Sequence, residues 1–515
     1  MRTAVPEVAP PAAEPVAGRV LGRLPRAAGA LGAVLTVQAA LSLRLVWTNT
    51  AFQDEALYLR AGHLEWEHWA QHAPIPDFPA YFSGAPVLYP PVGALADSAG
   101  GLAAARLLSL GFMLGVTTLL WAAAGRLYGR RAALLAAGLF ATLAGTQFLG
   151  SLATFDPPAL FLLALAAWLG IRAATAGPPS GAVTRTALLL GAGLALAAAD
   201  VTKYAAALFT PVVIAVVALA TWRERPGRAW LTGAATALAG WAVPVTAAIV
   251  AGGHDYWQGV TASTLARPAA ESPVPTVLRD AYVWTSLILV LAVLGVWLSA
   301  RGRAVVPQAR GRFLPAVLLA AALLAPAEQA RLHTTVSLSK HVVFGAWFAA
   351  IAAGYALARL SRVDRGYGWA VVMALPVAAS TLFGSMGQAH FLHRNWPDAT
   401  ALVRVLRPAV HAHPGSYLAE DADVEAYYLR SGVRWQNWSG TYYFRYGDRP
   451  AGAASYAAAI AQHHFALIIL DFGDTAAADQ EITADLRRTG GYRVLAHPGR
   501  FTVWASQAGG ARVAH

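Results

Sequence analysis

Two adjacent carboxylates, Asp54 and Glu55, head the segment ALYLRAGHLEWEHWAQH, in which Leu57, Ala61 and Leu64 recur at helical spacing. Neighbouring helical positions point in different directions, so one carboxylate can face a cavity while the other caps the helix or meets a cation. Cap and general base are equally compatible with the spacing. Asp156, in SLATFDPPALF, lies at the end of an apolar run, where an acid is costly and generally faces a cavity or a partner. Only two of the 39 basic residues are lysines, Lys203 in DVTKY and Lys340 in HTTVSLSKH, and both sit at helix ends. A lysine ammonium is a compact point charge suited to phosphate oxygens, although it also snorkels to interfaces. Further polar groups on the same side are His254, Asp255, Arg267, Glu328, Arg331, His333 and His341. Histidines and carboxylates so scattered leave a divalent metal open, but they show no fixed ligand spacing such as H-E-x-x-H, and no cofactor is required.

The elements that position these groups are set by composition. Of 515 residues, 57% are hydrophobic and only 13% charged, against about 25% charged in soluble domains. The net charge of +12 is not gathered into a nucleic-acid patch, because arginines recur at the ends of apolar runs. With no cysteine, disulfides, thiol catalysis and Cys-ligated zinc or iron-sulfur sites are excluded. About eleven runs approach the roughly 20 residues a membrane helix needs: 27–47, 102–124, 131–150, 157–175, 184–200, 203–222, 229–251, 280–299, 312–327, 340–360 and 367–387. With the N-terminus cytoplasmic, the inner side carries nineteen Lys and Arg and the outer side six, which is the bias expected of an inserted chain. Twelve of the sixteen acids before residue 388 then face outward. The loop acids Glu65, Glu67, Asp77 and Asp97 are expected on a solvated rim.

Three regions follow: a disordered cytoplasmic tail over 1–26, a membrane domain over 27–387 with a long first outer loop at 48–101, and an extracytoplasmic α/β domain over 388–515. The first loop is expected to carry a short helix along the membrane surface, with Trp66 and Trp69 at the interface. Its YFSGAPVLYPP element cannot continue as a helix, and Pro90-Pro91 followed by VGALADSAGGLAAA predicts a broken or re-entrant entry into the second span, or an ordinary surface loop. In the last region the pattern predicts a helix over 397–410, a buried strand over 465–471 (FALIILD), a helix over 475–488, and a hairpin from Tyr492 turning at Pro498-Gly499.

In this order the chain resembles the GT-C glycosyltransferases that use polyprenyl-phosphate sugars, the bacterial relatives of dolichyl-phosphate-mannose protein mannosyltransferases and of lipid A aminoarabinose transferases. The matching features are DEALY at Asp54-Glu55, LYPP at Leu88 to Pro91, the run from Ala105 to Phe161 that contains ATFDPPALF, DVTKYAAALF around Lys203, and SKHVVFGAWFAAIAAG from Ser339. The resemblance implies a polytopic helical membrane fold in a bacterial plasma membrane, a lipid-phosphate sugar donor, and a glycan, lipid or protein acceptor. It implies Asp54 as catalytic carboxylate with Glu55 beside it, Asp156 as the second outer acid, and Lys203 on the donor phosphate. Arg331 and Lys340 are further phosphate candidates, and Tyr89, Tyr204, His254, Asp255 and His341 are substrate-binding candidates.

The chemistry agrees with that expectation. A sugar hydroxyl is a poor nucleophile, and a carboxylate that accepts its proton speeds attack by about 10²- to 10⁴-fold. Charge growing on the leaving phosphate is stabilised by cations in a site that excludes water. Direct attack opposite the phosphate inverts the anomeric centre. A transporter or flippase of a lipid-linked or anionic substrate is the competing expectation, and it calls for polar groups in mid-span, where Arg44 and Arg106 are the main examples. A third is a non-catalytic anchor displaying the C-terminal domain.

Overall fold

The computed structural model describes residues 24–176, 181–225, 227–301, 313–361, 367–442 and 444–507, so most of the expected N-terminal tail lies outside the described residues. The membrane part is built from α1 (Leu24–Val46), α2 (Gln53–Gln71), α3 (Tyr89–Tyr128), α4 (Arg130–Ala141), α5 (Ala144–Leu149), α6 (Asp156–Ala174), α7 (Ala182–Thr202), α8 (Thr210–Glu224), α9 (Ala229–Val260), α10 (Val274–Arg301), α11 (Leu314–Arg331), α12 (Leu338–Leu360) and α13 (Tyr367–Arg394). Among the described residues, eight segments are long and apolar enough to cross a membrane: α1, α3, α6, α7, α8 with the 3-10 turn before it, α9, α10 and α12. The predicted spans 131–150, 312–327 and 367–387 coincide with α4 and α5, α11, and α13, which do not reach that length and apolarity over their described residues. The protein is a multi-pass membrane protein.

Helix α12 is the hub. It is buried along most of its length, and small residues let neighbours close on it. A Cβ on Gly345 would lie 2.5 Å from the Ala321 carbonyl oxygen, so α11 and α12 meet backbone to backbone. The Trp347 indole, buried beside them, donates to the Val116 carbonyl of α3 at 3.1 Å.

Helix α2 runs as the pattern predicts, with Trp66 and Trp69 exposed and Tyr58, Leu59 and Ala61 buried. Helix α3 is broken within the expected segment, but not at its prolines. Pro90 and Pro91 occupy the first turn of α3, where a missing N–H costs nothing. The break falls at Gly100-Gly101, where Gly101 takes φ +67°. The preceding loop is strapped to the end of α7: Ala85 N–H donates to the Val201 carbonyl and Tyr204 N–H to the Ser83 carbonyl, each at 2.9 Å. Only glycine fits at 84, since a Cβ there would lie 2.0 Å from the Thr202 carbonyl oxygen. That strap fixes the backbone of Lys203.

The C-terminal domain contains α14 (Thr400–Ala412), α15 (Ala422–Tyr428), α16 (Ala453–Ala461) and α17 (Ala476–Thr489), with β1 (Ser416–Ala419), β2 (Trp438–Gly440), β3 (Phe465–Leu470), β4 (Tyr492–Ala496) and β5 (Thr502–Ser506). Sheet order is β2-β1-β3-β5-β4, parallel through β3 and antiparallel beyond it. FALIIL reads as an unbroken apolar run because β3 is covered on both faces. Leu467 and Ile469 pack with Leu402 and Leu406 of α14, while Ile468 and Leu470 pack with Ile460 and Ile482 of α16 and α17.

This domain docks on α2 and α3 through α15. Arg60 pairs with Asp423, the Tyr428 hydroxyl accepts the Ala51 N–H at 2.7 Å, and the Trp435 indole donates to the Pro74 carbonyl at 3.0 Å. Asp97 is the centre of the joint. Its oxygens meet His63 Nε2 at 2.6 Å, the Tyr427 hydroxyl at 2.6 Å and Arg430 at 3.2 Å. Of the four acids expected on a solvated rim, Glu67 and Asp77 are exposed, whereas Glu65 and Asp97 are buried. Asp97→Ala leaves three partners unpaired and is expected to destabilise the joint by about 3 kcal/mol. Limited trypsin digestion checks this, with faster cleavage at the exposed Arg394 and Arg430; an unchanged rate refutes it.

Candidate active site

The two acids at the head of α2 divide their tasks. Glu55 is fully buried and saturated: Arg106 donates through Nε at 2.8 Å and Nη2 at 2.7 Å, the Phe52 N–H donates at 2.9 Å and the Ala153 N–H at 2.7 Å. The remaining donors of Arg106 reach the carbonyls of Val46, Asn49 and Thr50. One guanidinium thus fastens the end of α1, the next turn and the start of α2 onto α3. Glu55 is expected from the sequence to share the chemistry; in the structure both its oxygens are engaged and it lines neither of the two cavities described below, and it fixes the turn that aims its neighbour.

Asp54 points the other way. Its side chain is 29% exposed and accepts a bond from Lys340 Nζ at 2.6 Å, across from the start of α12. The other lysine, Lys203, pairs with Asp156 at 2.9 Å, and Thr154 donates to the same carboxylate at 3.1 Å. Lys203, Lys340 and His341 all act electrostatically on Asp156. Both lysines of the chain therefore meet candidate acids within one region. His341 is held through Nδ1 by Gln329 at 2.8 Å, while its buried Nε2 has no hydrogen-bond partner.

Two cavities flank this cluster. A polar one of about 640 Å³ is lined by Asp54, Lys340, Trp284 and Trp396, and on its far side by Glu420, Asp421, Glu425 and Asp471 of the C-terminal domain. An apolar one of about 610 Å³ lies among the end of α7, the 3-10 turn before α8, α9, α11 and the start of α12, lined by Tyr204, Phe209, Trp241, Arg267, Arg331 and His341. Consecutive residues at the start of α12, Lys340 and His341, face the two different cavities.

Other candidates are distributed around this arrangement. Tyr204 and Arg331 line the apolar cavity, where Arg331 is exposed and paired with Glu328 at 2.6 Å. Tyr89 lines neither cavity and packs on Phe155, and His254 and Asp255 lie exposed near the end of α9 beyond the break at Gly253. Those three are not brought to the cluster. Sequence reading missed Arg106 as a positioning group, although a charge inside an apolar span was the signal for it. It also missed the carboxylate wall, whose members come from the segments after β1 and β3 and from α15. Within that wall, burial pushes Asp421 up to about 6 and Glu425 well above the usual carboxylate range. Burial and the neighbouring Glu420 push Asp471 up, while Glu420, despite burial, is held down by its hydrogen bonds to Asp471 and Thr475.

Residues 95–246, under a third of the chain, match the family described as dolichyl-phosphate-mannose-protein mannosyltransferase. No curated protein matches the chain in sequence. Among solved structures, ArnT from Cupriavidus metallidurans, bound to undecaprenyl phosphate, superposes with a TM-score of 0.63 at 16% identity, over 93% of this chain and 98% of that one. The chain has the GT-C fold. The same architecture extends to the oligosaccharyltransferase AglB of Archaeoglobus fulgidus, in complex with an inhibitory peptide and a dolichol-phosphate, with a TM-score of 0.56 at 14% identity over 94% and 74% of the two chains. It extends also to the mycobacterial arabinofuranosyltransferase AftD, with a TM-score of 0.53 at 16% identity over 93% of this chain and 41% of that one. In this GT-C fold Asp54 stands at the head of the first helix after α1, and the C-terminal domain closes the same end of the bundle.

Proposed function

We propose that the chain is a membrane glycosyltransferase that moves a sugar from a polyprenyl-phosphate donor to an acceptor hydroxyl on the outer face of the membrane, with inversion and with Asp54 as general base. The observation that carries this reading is the partition at Lys340-His341, with a lipid-sized apolar cavity on one side and the Asp54 carboxylate in a polar cavity on the other. The polyprenyl chain occupies the apolar cavity and its phosphate lies toward Lys203 and Lys340. The acceptor hydroxyl enters the polar cavity beside Asp54. As the acceptor oxygen bonds to the anomeric carbon, its proton passes to Asp54, and the carbon–oxygen bond to phosphate breaks with its electron pair on the phosphate. The phosphate also competes for Lys340, so donor binding frees Asp54 from its ion pair at the moment a base is needed. The solved relatives with undecaprenyl phosphate and dolichol-phosphate support the donor class. The nineteen-to-six distribution of basic residues supports a cytoplasmic N-terminus and an outward C-terminal domain.

Purified protein incubated with polyprenyl-phosphate hexoses and pentoses, and with glycan, lipid and peptide acceptors, tests the proposal by mass spectrometry of product and released polyprenyl phosphate. Movement of such lipids across a liposome bilayer with no bond cleaved favours a flippase instead. Lys203→Ala is expected to lower kcat/KM for the donor by about 10²-fold, the scale of one lost electrostatic contact to the transition state. Lys203→Arg restores part of it, and equal losses in both variants assign Lys203 to folding alone.

A further inference from the structure

The carboxylate wall has a geometry of its own. Glu420 follows directly on β1 and Asp471 directly on β3, so both emerge from the carboxyl ends of adjacent parallel strands, where open α/β sheets bind ligands. Asp479 joins them from α17, and one oxygen from each of the three buried carboxylates lies within 4.8 Å of the others. Backbone amides hold the set in place: Thr475 N–H donates to Glu420 at 2.8 Å, Gly473 N–H to Asp471 at 2.6 Å and Phe472 N–H to Asp479 at 2.9 Å. Each carboxylate oxygen has a second lone pair beyond the one an amide takes.

A separate observation points to a ligand. Glu425 lines the same cavity, is 3% exposed, and its Oε2 has no hydrogen-bond partner. A buried carboxylate oxygen left so is costly unless it takes up a proton or a cation meets it. Among the described residues the two bases lining the cavity are engaged with other acids: Lys340 pairs with Asp54, and Arg500 pairs with Asp471 at 3.6 Å. Seven carboxylates line this cavity against those two bases.

We propose that Glu420, Asp471 and Asp479 hold a hard divalent cation of the Ca²⁺, Mg²⁺ or Mn²⁺ class, whose charge also meets Glu425 across the cavity wall. The donor set is all oxygen, which selects those ions over Zn²⁺ or Cu²⁺. Bonds of about 2.1–2.5 Å place two ligand oxygens on opposite sides of such an ion about 4–5 Å apart, and one oxygen from each of the three carboxylates lies within 4.8 Å of the others. The site belongs to the C-terminal wall, opposite Asp54, and does not depend on the proposed transfer reaction.

The test uses full-length protein in detergent, stripped with chelator and titrated with MnCl₂, with bound Mn²⁺ counted by electron paramagnetic resonance and CaCl₂ as competitor. One Mn²⁺ per chain is expected, with affinity falling at least tenfold in Glu420→Gln and in Asp471→Asn and unchanged in Asp54→Asn. Circular dichroism establishes that each variant is folded, and the wild-type titration decides the matter even where a variant is not. No binding of Mn²⁺ or Ca²⁺ at millimolar concentration overturns the proposal, as does binding that survives both wall substitutions. Loss of the ion in Asp54→Asn alone also overturns it, by assigning the cation to the opposite wall.

Discussion

Asp54→Asn is expected to lower kcat by about 10²- to 10⁴-fold, the range a positioned general base supplies, with donor affinity and thermal stability close to wild type. The side chain is part-exposed and its one hydrogen bond runs to Lys340, which an asparagine carbonyl still accepts. Nothing in the packing of α2 depends on it, because the buried face of that helix begins at Glu55 and Ala56. The substitution therefore removes the proton acceptor and leaves its surroundings in place. Steady-state turnover and a thermal melt on the same preparation check this. Turnover within about threefold of wild type refutes the assigned base, whereas a large fall in melting temperature moves Asp54 from chemistry to architecture.

Arg106→Met is expected to destabilise the protein by about 3–5 kcal/mol, the scale for breaking one side of a buried ion pair, and to abolish activity with it. The guanidinium is 1% exposed and its loss strands the Glu55 carboxylate together with the Val46, Asn49 and Thr50 carbonyls. Because those groups define the turn into α2, the aim of Asp54 is lost as well. Arg106→Met combined with Glu55→Leu is expected to melt above Arg106→Met alone, since no uncompensated charge is then left buried. A double-mutant cycle in melting temperature measures this coupling, and additive single losses refute the direct pairing.

Much of this site was visible in the residues themselves. The opposed directions of Asp54 and Glu55 follow from the 100° step of a helix, and the rarity of lysine singled out Lys203 and Lys340. Their partners were not visible. Lys340 is 286 residues from Asp54 and Lys203 is 47 from Asp156, and no local periodicity encodes such a distance. Arg106 was noticed as a charge in an apolar run, but its role depends on three carbonyls contributed by a different helix and turn. The carboxylate wall was illegible for the same reason: Glu420 and Asp471 become neighbours only once β1 pairs with β3. Local pattern placed a break in the segment that enters the second span without showing which residues make it, because two prolines are stronger punctuation on paper than two glycines. In the folded chain they begin a turn of helix that needs no N–H from them, and the glycines interrupt it.

The partition at the start of α12 assigns neighbouring residues, Lys340 and His341, to different cavities, and that has a kinetic meaning for the proposed transferase. A greasy substrate that diffuses in the bilayer and a hydrated one that arrives from solution reach the same point by separate doors, so neither has to depart or wait for the other to load. Initial-rate plots with both substrates varied would then intersect, in the pattern of random-order addition, and a product of either kind would inhibit competitively only against the substrate that shares its door.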